Sequence, residues 1–550
     1  MDRRRFFALT AASGAALSVD ACRPRAHHRA MPSSSSGAPG VGAEPGPHAE
    51  LAESTIDDVA RSMAAGHGSA RALVDAFLAR IDALDRRGPT LRSVLETNPD
   101  AQSVADASDA ERREKGPRGP LHGVPILVKD NLDTADRMHT TAGSLALLDA
   151  RPSRDAAVVE RLRAAGAVLL GKTNLSEWAN FRSTRATSGW SGRGGQCKNP
   201  HVLDRSPSGS SSGTAAAIAA GLAVAGIGTE TDGSILSPAA TCGIVGLKPT
   251  VGLVGRGGIV PIAHSQDTAG PMARTVRDAA LLLTAIAGPD PRDPATRSAE
   301  GHVDANYARF LDPNGLRGAR LGVARKFFGT HSGVDAVIES ALETMRKAGA
   351  ILVDPIELAS TDYDAAELEV LLFEFKTDLE GYLRSLRETP VRTLAELVAW
   401  NERNAAREMP HFGQELFVRA AAKGGLDAPD YVAALAKCRR LSREQGIDAA
   451  IGAHRLDAIV APTGQPAWVI DPLNGDHITF GSTTPAAVAG YPSVTVPAGF
   501  IRDLPIGVSF FGPAWSEGTL LRLAYAYEQT SRARRPPRFL PTLVLDPAPR

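Results

Sequence analysis

The sequence predicts an α/β fold with a largely buried sheet. Short apolar runs, among them VPILV at 124–128, Ala167–Leu170, Val224–Gly228, Ala458–Val460 and Ser493–Pro497, alternate with stretches of helical spacing. The chain of 550 residues is 43% hydrophobic and 22% charged, which supplies a sizeable core.

In chain order, residues 1–22 (MDRRRFFALTAASGAALSVDAC) do not read as part of the fold. An arginine cluster, Arg3 to Arg5, precedes an apolar stretch, Phe6–Val19, and small residues. That is the pattern of a twin-arginine export signal, so a periplasmic or extracellular protein is expected. The run Val19-Asp20-Ala21-Cys22 resembles a lipoprotein cleavage site, and a lipid on Cys22 would anchor the protein to a membrane. Residues 23–50 are rich in Ser, Gly, Pro and Ala and read as a flexible linker.

The fold proper is expected over residues 51–540 as one large domain. Thr55-Ile56-Asp57-Asp58 reads as a capped helix start, and Ser69 caps a second helix with Leu73, Val74, Phe77, Leu78, Ile81 and Leu84 on one face. After the strand at 124–128, Asp155–Ala165 reads as a helix ending near Gly166, and Thr173 as the start of another. Ala215–Ala223 reads as a buried helix. Residues 313–452 are more helical and more charged, an excursion from the α/β core. A last helix is expected over Glu517–Thr530.

Composition narrows the function. The formal net charge is zero and no basic stripe follows the leader, which speaks against a nucleic-acid partner. The chain has no CxxC or HExxH and its 13 histidines are scattered, so neither a metal nor another cofactor is expected. Cys197, Cys242 and Cys438 allow one disulfide at most. Beyond the leader no apolar run reaches the ~18 residues of a membrane span. A small-molecule or peptide substrate remains.

Three segments carry chemistry. Lys129 ends the apolar run GVPILVK, where burial would lower its pKa towards that of a base, although a strand-end lysine is often merely solvated. The stretch SPSGSSSGTAAAIAAG at 206–221 sets a serine-rich loop before an alanine-rich helix, whose start offers free N–H groups. GTETDGSI at 228–235 follows a strand and surrounds the Ser234 hydroxyl with consecutive N–H groups, as an oxyanion hole beside a nucleophile requires. On dipeptide grounds alone it is an Asp-Gly turn.

Together GVPILVKD, GSSSGTAAAIAAG, GTETDGSILSPAATCGIVGLKPT and SQDTAGPMART resemble the amidase signature family, hydrolases with a Ser–cis-Ser–Lys triad. The resemblance runs over about residues 52–530. It implies a mixed central sheet covered by helices on both faces. It also implies Ser234 as nucleophile, Ser210 after a cis peptide bond as relay, Lys129 as base and Ser211 in support. The backbone N–H groups of Thr231, Asp232, Gly233 and Ser234 would form the oxyanion hole. Ala179, Asn180 and Phe181, after GKTN, would line the substrate pocket, although Phe181 reads equally well as core.

Two positions depart from the family pattern: Glu230 stands for an Asp, and Asp232 for a Gly. With GWSGRGGQ and VGLVGRGGIVPIAHSQDTAGPMAR, the segment GTETDGSI looks most like the peptide amidase branch, which removes ammonia from C-terminal peptide amides. An anionic Asp232 at the mouth of the site would disfavour a free carboxylate. Other readings stand beside it: an amidase of aryl or small acyl amides, an α/β-hydrolase esterase using Ser211 in GxSxG, and a non-catalytic amidase-like binding component.

Overall fold

The computed structural model describes residues 46–358 and 363–545. The expected export signal, Cys22 and most of the linker lie outside the described residues. The last residues of the expected linker are exposed but ordered: Ala49–Leu51 is a 3-10 turn, and Arg80 Nη1 donates to the Pro47 carbonyl at 2.8 Å.

The centre is a sheet of 11 strands among the described residues. In chain order these are β1 Val94–Thr97, β2 Pro125–Lys129, β3 Val168–Thr173, β4 Ala225–Glu230, β5 Val245–Lys248, β6 Thr268–Ala273, β7 Arg320–Val323, β8 Ile351–Val353, β9 Ala458–Pro462, β10 Ser493–Ile501 and β11 Leu504–Phe511. Across the sheet they lie in the order β1-β3-β2-β4-β6-β5-β10-β11-β9-β7-β8. β2 runs parallel to β3 and β4, and β4 antiparallel to β6, so the sheet is mixed.

Every residue of β2, β3, β4, β5, β6, β9 and β11 is buried. Side chains alternate between faces along a strand, so total burial requires cover on both. Helices provide it, and the expected single α/β domain is what the chain forms.

The first two helices are as the caps predict. In α1, Ile56–Ala64, the Thr55 and Asp58 side chains close a capping box, and Ser69 Oγ accepts from Ala72 N ahead of α2, Ala70–Arg80. The other elements shift by a few residues. The helix expected at 155–165 spans Ala157–Ala164, and the last helix spans Glu517–Ser531.

Two expectations fail. Thr173 starts no helix; it ends β3, and the Asn174 side chain holds the following segment as a loop by bonding Leu175 N, the Arg92 carbonyl and the Gly195 carbonyl. The excursion also begins later than residue 313, because β7 and β8 lie inside that range and extend the central sheet. Their apolar runs are only three or four residues, bracketed by arginine and aspartate, which hides them. The helical part starts at α5, Asp364–Ser385, and builds a second core in which Phe375, Leu379 and Phe417 pack with Trp178 and Phe181. Cys197, Cys242 and Cys438 are free and buried. No helix among the described residues is long and apolar enough to cross a membrane.

Candidate active site

The site forms where β2 and β4 end side by side. Their parallel register pairs Val128 with Ile227, which brings Thr229 alongside Lys129. Lys129 is fully buried and bonds Ser210 Oγ at 2.8 Å, Thr229 Oγ1 at 2.8 Å and the Thr229 carbonyl at 3.2 Å. Asn131 Nδ2 donates to the same Thr229 hydroxyl at 2.9 Å. Burial pushes the lysine down to about 7, against the opposing pull of the Asp267 and Glu230 carboxylates. A lysine there exchanges a proton near neutrality.

The serine loop is fixed, not mobile. Ser208 N donates to Ser206 Oγ, Ser212 Oγ to the Ser208 carbonyl, and Ser176 N to the Ser210 carbonyl. The Gly209–Ser210 peptide is cis, as the resemblance implies. A Cβ on Gly209 would lie 2.1 Å from Ser176 Oγ, so a side chain there would have to displace that hydroxyl from its bond with Gly189 N. α3, Ser212–Ala219, is buried at every residue. Its start is equally crowded, since a Cβ on Gly213 would lie 2.3 Å from the Ser93 carbonyl oxygen. Small side chains let this helix approach the sheet.

Ser211 sits deeper. Its Oγ donates to the Thr229 carbonyl at 3.0 Å, and its N–H donates to the Ser234 carbonyl at 3.0 Å. Ser211 therefore ties the serine loop to β4 and to the Ser234 turn. The nucleophile-elbow reading fails here, because Ser211 is fully buried and no strand spans 199–208. His477 is exposed and bonds Asp471.

After β4 the chain turns through Thr231–Ser234 into α4, Leu236–Thr241, with Gly233 at φ 77°. Glu230 Oε2 accepts from Ile235 N at 2.7 Å and Leu236 N at 3.0 Å. The longer Glu side chain thus caps the far end of the turn. Among the described residues, the N–H groups of Thr231, Asp232, Gly233 and Ser234 have no intramolecular acceptor. Four adjacent free donors can hold an oxyanion.

The turn borders a cavity of about 340 Å³, lined by Ser234, Thr231 and Asp232 and by Ala179, Asn180 and Phe181 from the loop after β3. Asn180 Oδ1 is buried without a partner. Phe181 does both things expected of it: it lines the cavity and meets Phe375 edge-on at 5.1 Å. Ser210 lies buried behind Ser234, and no hydrogen bond joins their hydroxyls in this structure.

Asp232 differs from expectation. It lines the cavity, yet its carboxylate does not stand free at the mouth. It accepts from Thr483 Oγ1 at 2.8 Å and Thr484 Oγ1 at 2.7 Å, and burial raises its pKa.

The sequence reading missed the opposite wall, formed by Leu371 of α5 and by Trp468, Ile478 and Phe480 of the loop after β9. It also missed Thr229, which the parallel pairing of the two strands would have placed. A larger cavity of about 490 Å³ reaches Asp267 and is lined by Arg256, His264 and Tyr382. Neither Lys129, Ser210 nor Ser234 lines it.

A family model described as Amidase matches residues 72–521. The chain belongs to the amidase family. Among solved structures, the native peptide amidase from Stenotrophomonas maltophilia superposes with a TM-score of 0.85 at 53% identity, covering 89% of this chain and 99% of that one. A probable amidase of Arabidopsis thaliana is 43% identical over 502 residues, 89% of this chain and 92% of the relative. A putative amidase of Schizosaccharomyces pombe is 35% identical over 519 residues, 89% of this chain and 87% of its own length. This amidase therefore acts on amide C–N bonds as a hydrolase.

Proposed function

We propose that this amidase cleaves the C-terminal amides of peptides through an acyl-enzyme and releases ammonia. The observation that carries the reading is the buried Lys129–Ser210 hydrogen bond, set behind a cavity that Ser234 lines. Neutral Lys129 Nζ takes the Ser210 proton as Ser210 Oγ takes that of Ser234. Ser234 Oγ then bonds the amide carbon, and the oxyanion meets the N–H groups of Thr231 to Ser234. Collapse breaks the C–N bond, and the proton returns from Lys129 through Ser210 to the leaving nitrogen. Water enters by the same relay and frees the acid and Ser234. The relay bond from Ser234 to Ser210 forms once substrate is seated, since such contacts tighten in the complex.

The unpartnered Asn180 Oδ1 suits a peptide N–H, and the similarity to the Stenotrophomonas peptide amidase supports a peptide acyl group. Ammonia release from peptide amides, aryl amides and small acyl amides tests the reading, alongside Ser234→Ala. Peptide amides are expected to give the highest kcat/KM, and Ser234→Ala to lose at least ~10³-fold. A fluorophosphonate probe should modify Ser234. Aryl amides turning over fastest would replace the substrate class. Full activity in Ser234→Ala would overturn the mechanism, and an unlabelled, inactive wild type would favour a binding component.

A further inference from the structure

The antiparallel pairing of β4 with β6 sets Glu230 opposite Thr268, so the next residues along, Thr231 and Asp267, meet just beyond the ladder. Thr231 Oγ1 donates to Asp267 Oδ1 at 2.5 Å. Asp267 Oδ2 accepts from Ile262 N at 2.8 Å and Ala263 N at 2.9 Å. One carboxylate thereby joins the first residue of the oxyanion turn to the segment that carries Ile262, itself a cavity residue. Glu230 holds the other end of the same turn through Ile235 and Leu236.

Resting on the amidohydrolase reading above, we propose that Asp267 is a positioning residue for the reaction. It sets where the oxyanion turn sits and how much negative charge Lys129 feels. The charged groups facing Lys129 are Asp267 and Glu230; the cation facing Asp267 is Arg256, which Asp293 holds through both carboxylate oxygens. Asp267 opposes the burial that lowers Lys129, so removing its charge lowers the lysine further. Burial raises Asp267 itself to about 6, so it is mostly ionised at neutral pH.

The test compares Asp267→Asn, Asp267→Glu and Thr231→Val. The readouts are kcat and kcat/KM for a peptide amide from pH 5 to 9, and the rate of Ser234 labelling by a fluorophosphonate over the same range. Asp267→Asn should lose about 10-fold or more in kcat and move the acid limb of both profiles down by about one pH unit. Asp267→Glu should restore the limb. Thr231→Val keeps the charge and removes the tether, so it should lower kcat with the limb in place. An unmoved limb in Asp267→Asn, or wild-type kcat in Thr231→Val, overturns the proposal. If Asp267→Asn fails to fold, Thr231→Val still decides. A wild type that hydrolyses no amide overturns the amidohydrolase reading instead, and the labelling profiles then decide on Asp267.

Discussion

The floor and the wall of the cavity are built differently. The floor consists of the Thr231–Ser234 turn after β4, backed by Lys129 at the end of β2 and by Ser210 in the loop before α3, both fully buried and hydrogen-bonded to each other. The wall consists of Phe181, Leu371, Trp468, Ile478 and Phe480, apolar side chains brought from separate loops and a helix of the second core. The floor gains its properties from low dielectric and fixed polar geometry, where a displacement of an ångström changes the chemistry. The wall gains its properties from shape and apolar area, where neighbours can adjust.

The two regions should therefore fail in different ways. The largest loss belongs to the floor. Lys129→Met removes the base but leaves the turn and its free N–H groups, and should cost about 10²–10⁴-fold in kcat. Ser234 labelling should slow in parallel. In the wild type, kcat/KM should rise with pH through about 7, because burial holds Lys129 there and only the neutral amine accepts a proton. A flat profile between pH 6 and 8 would assign proton transfer to another group.

An intermediate effect belongs to the wall. Phe480→Ala removes apolar area from the cavity without touching a polar contact, so KM should rise about 10-fold at nearly constant kcat. A fall in kcat with KM unchanged would mean that the wall positions the reacting carbonyl, and the division between the regions would dissolve. Ile478 is 60% exposed at the rim, so Ile478→Ser should change KM only about twofold.

The same division explains what was legible in the sequence. Lys129, Ser210 and Ser234 are local in their signals: a lysine closing an apolar strand, serines before a small-residue helix, a serine in a glycine turn. Packing constraints at Gly209 and Gly213 force those signals into the chain itself. Trp468 and Phe480 carry no such mark, because an apolar residue in a loop reads as ordinary packing until the fold shows which cavity it faces. Thr483 and Thr484 are invisible because threonines ahead of Pro485 read as an ordinary helix start until the fold brings Asp232 beside them. Asp267 stood within a recognisable segment, SQDTAGPMART, yet its partner Thr231 becomes evident only from strand register. The strands β7 and β8, at one end of the sheet, are too short for a periodic pattern to emerge.

Asp232 is where floor and wall meet, and it yields the subtlest expected effect. Its backbone N–H belongs to the oxyanion turn, while its carboxylate is clasped by Thr483 and Thr484 at the start of the helix Thr484–Ala489. A buried anion there repels the carboxylate of the product acid and leaves a neutral amide unaffected. Burial raises the Asp232 pKa, so the anion is lost as pH falls, at a higher pH than an exposed aspartate would need. The product acid keeps its charge over that range. Inhibition by the peptide acid should therefore tighten more steeply as pH falls in the wild type than in Asp232→Asn, where only the charging of Lys129 acts. At neutral pH that variant should bind the acid several-fold more tightly, with kcat for the amide changed only a few-fold because the oxyanion contacts are backbone. Equal pH dependence of the inhibition constant in both proteins would remove charge from the account of why the site takes amides. The clasp would then remain as a purely mechanical joint between floor and wall.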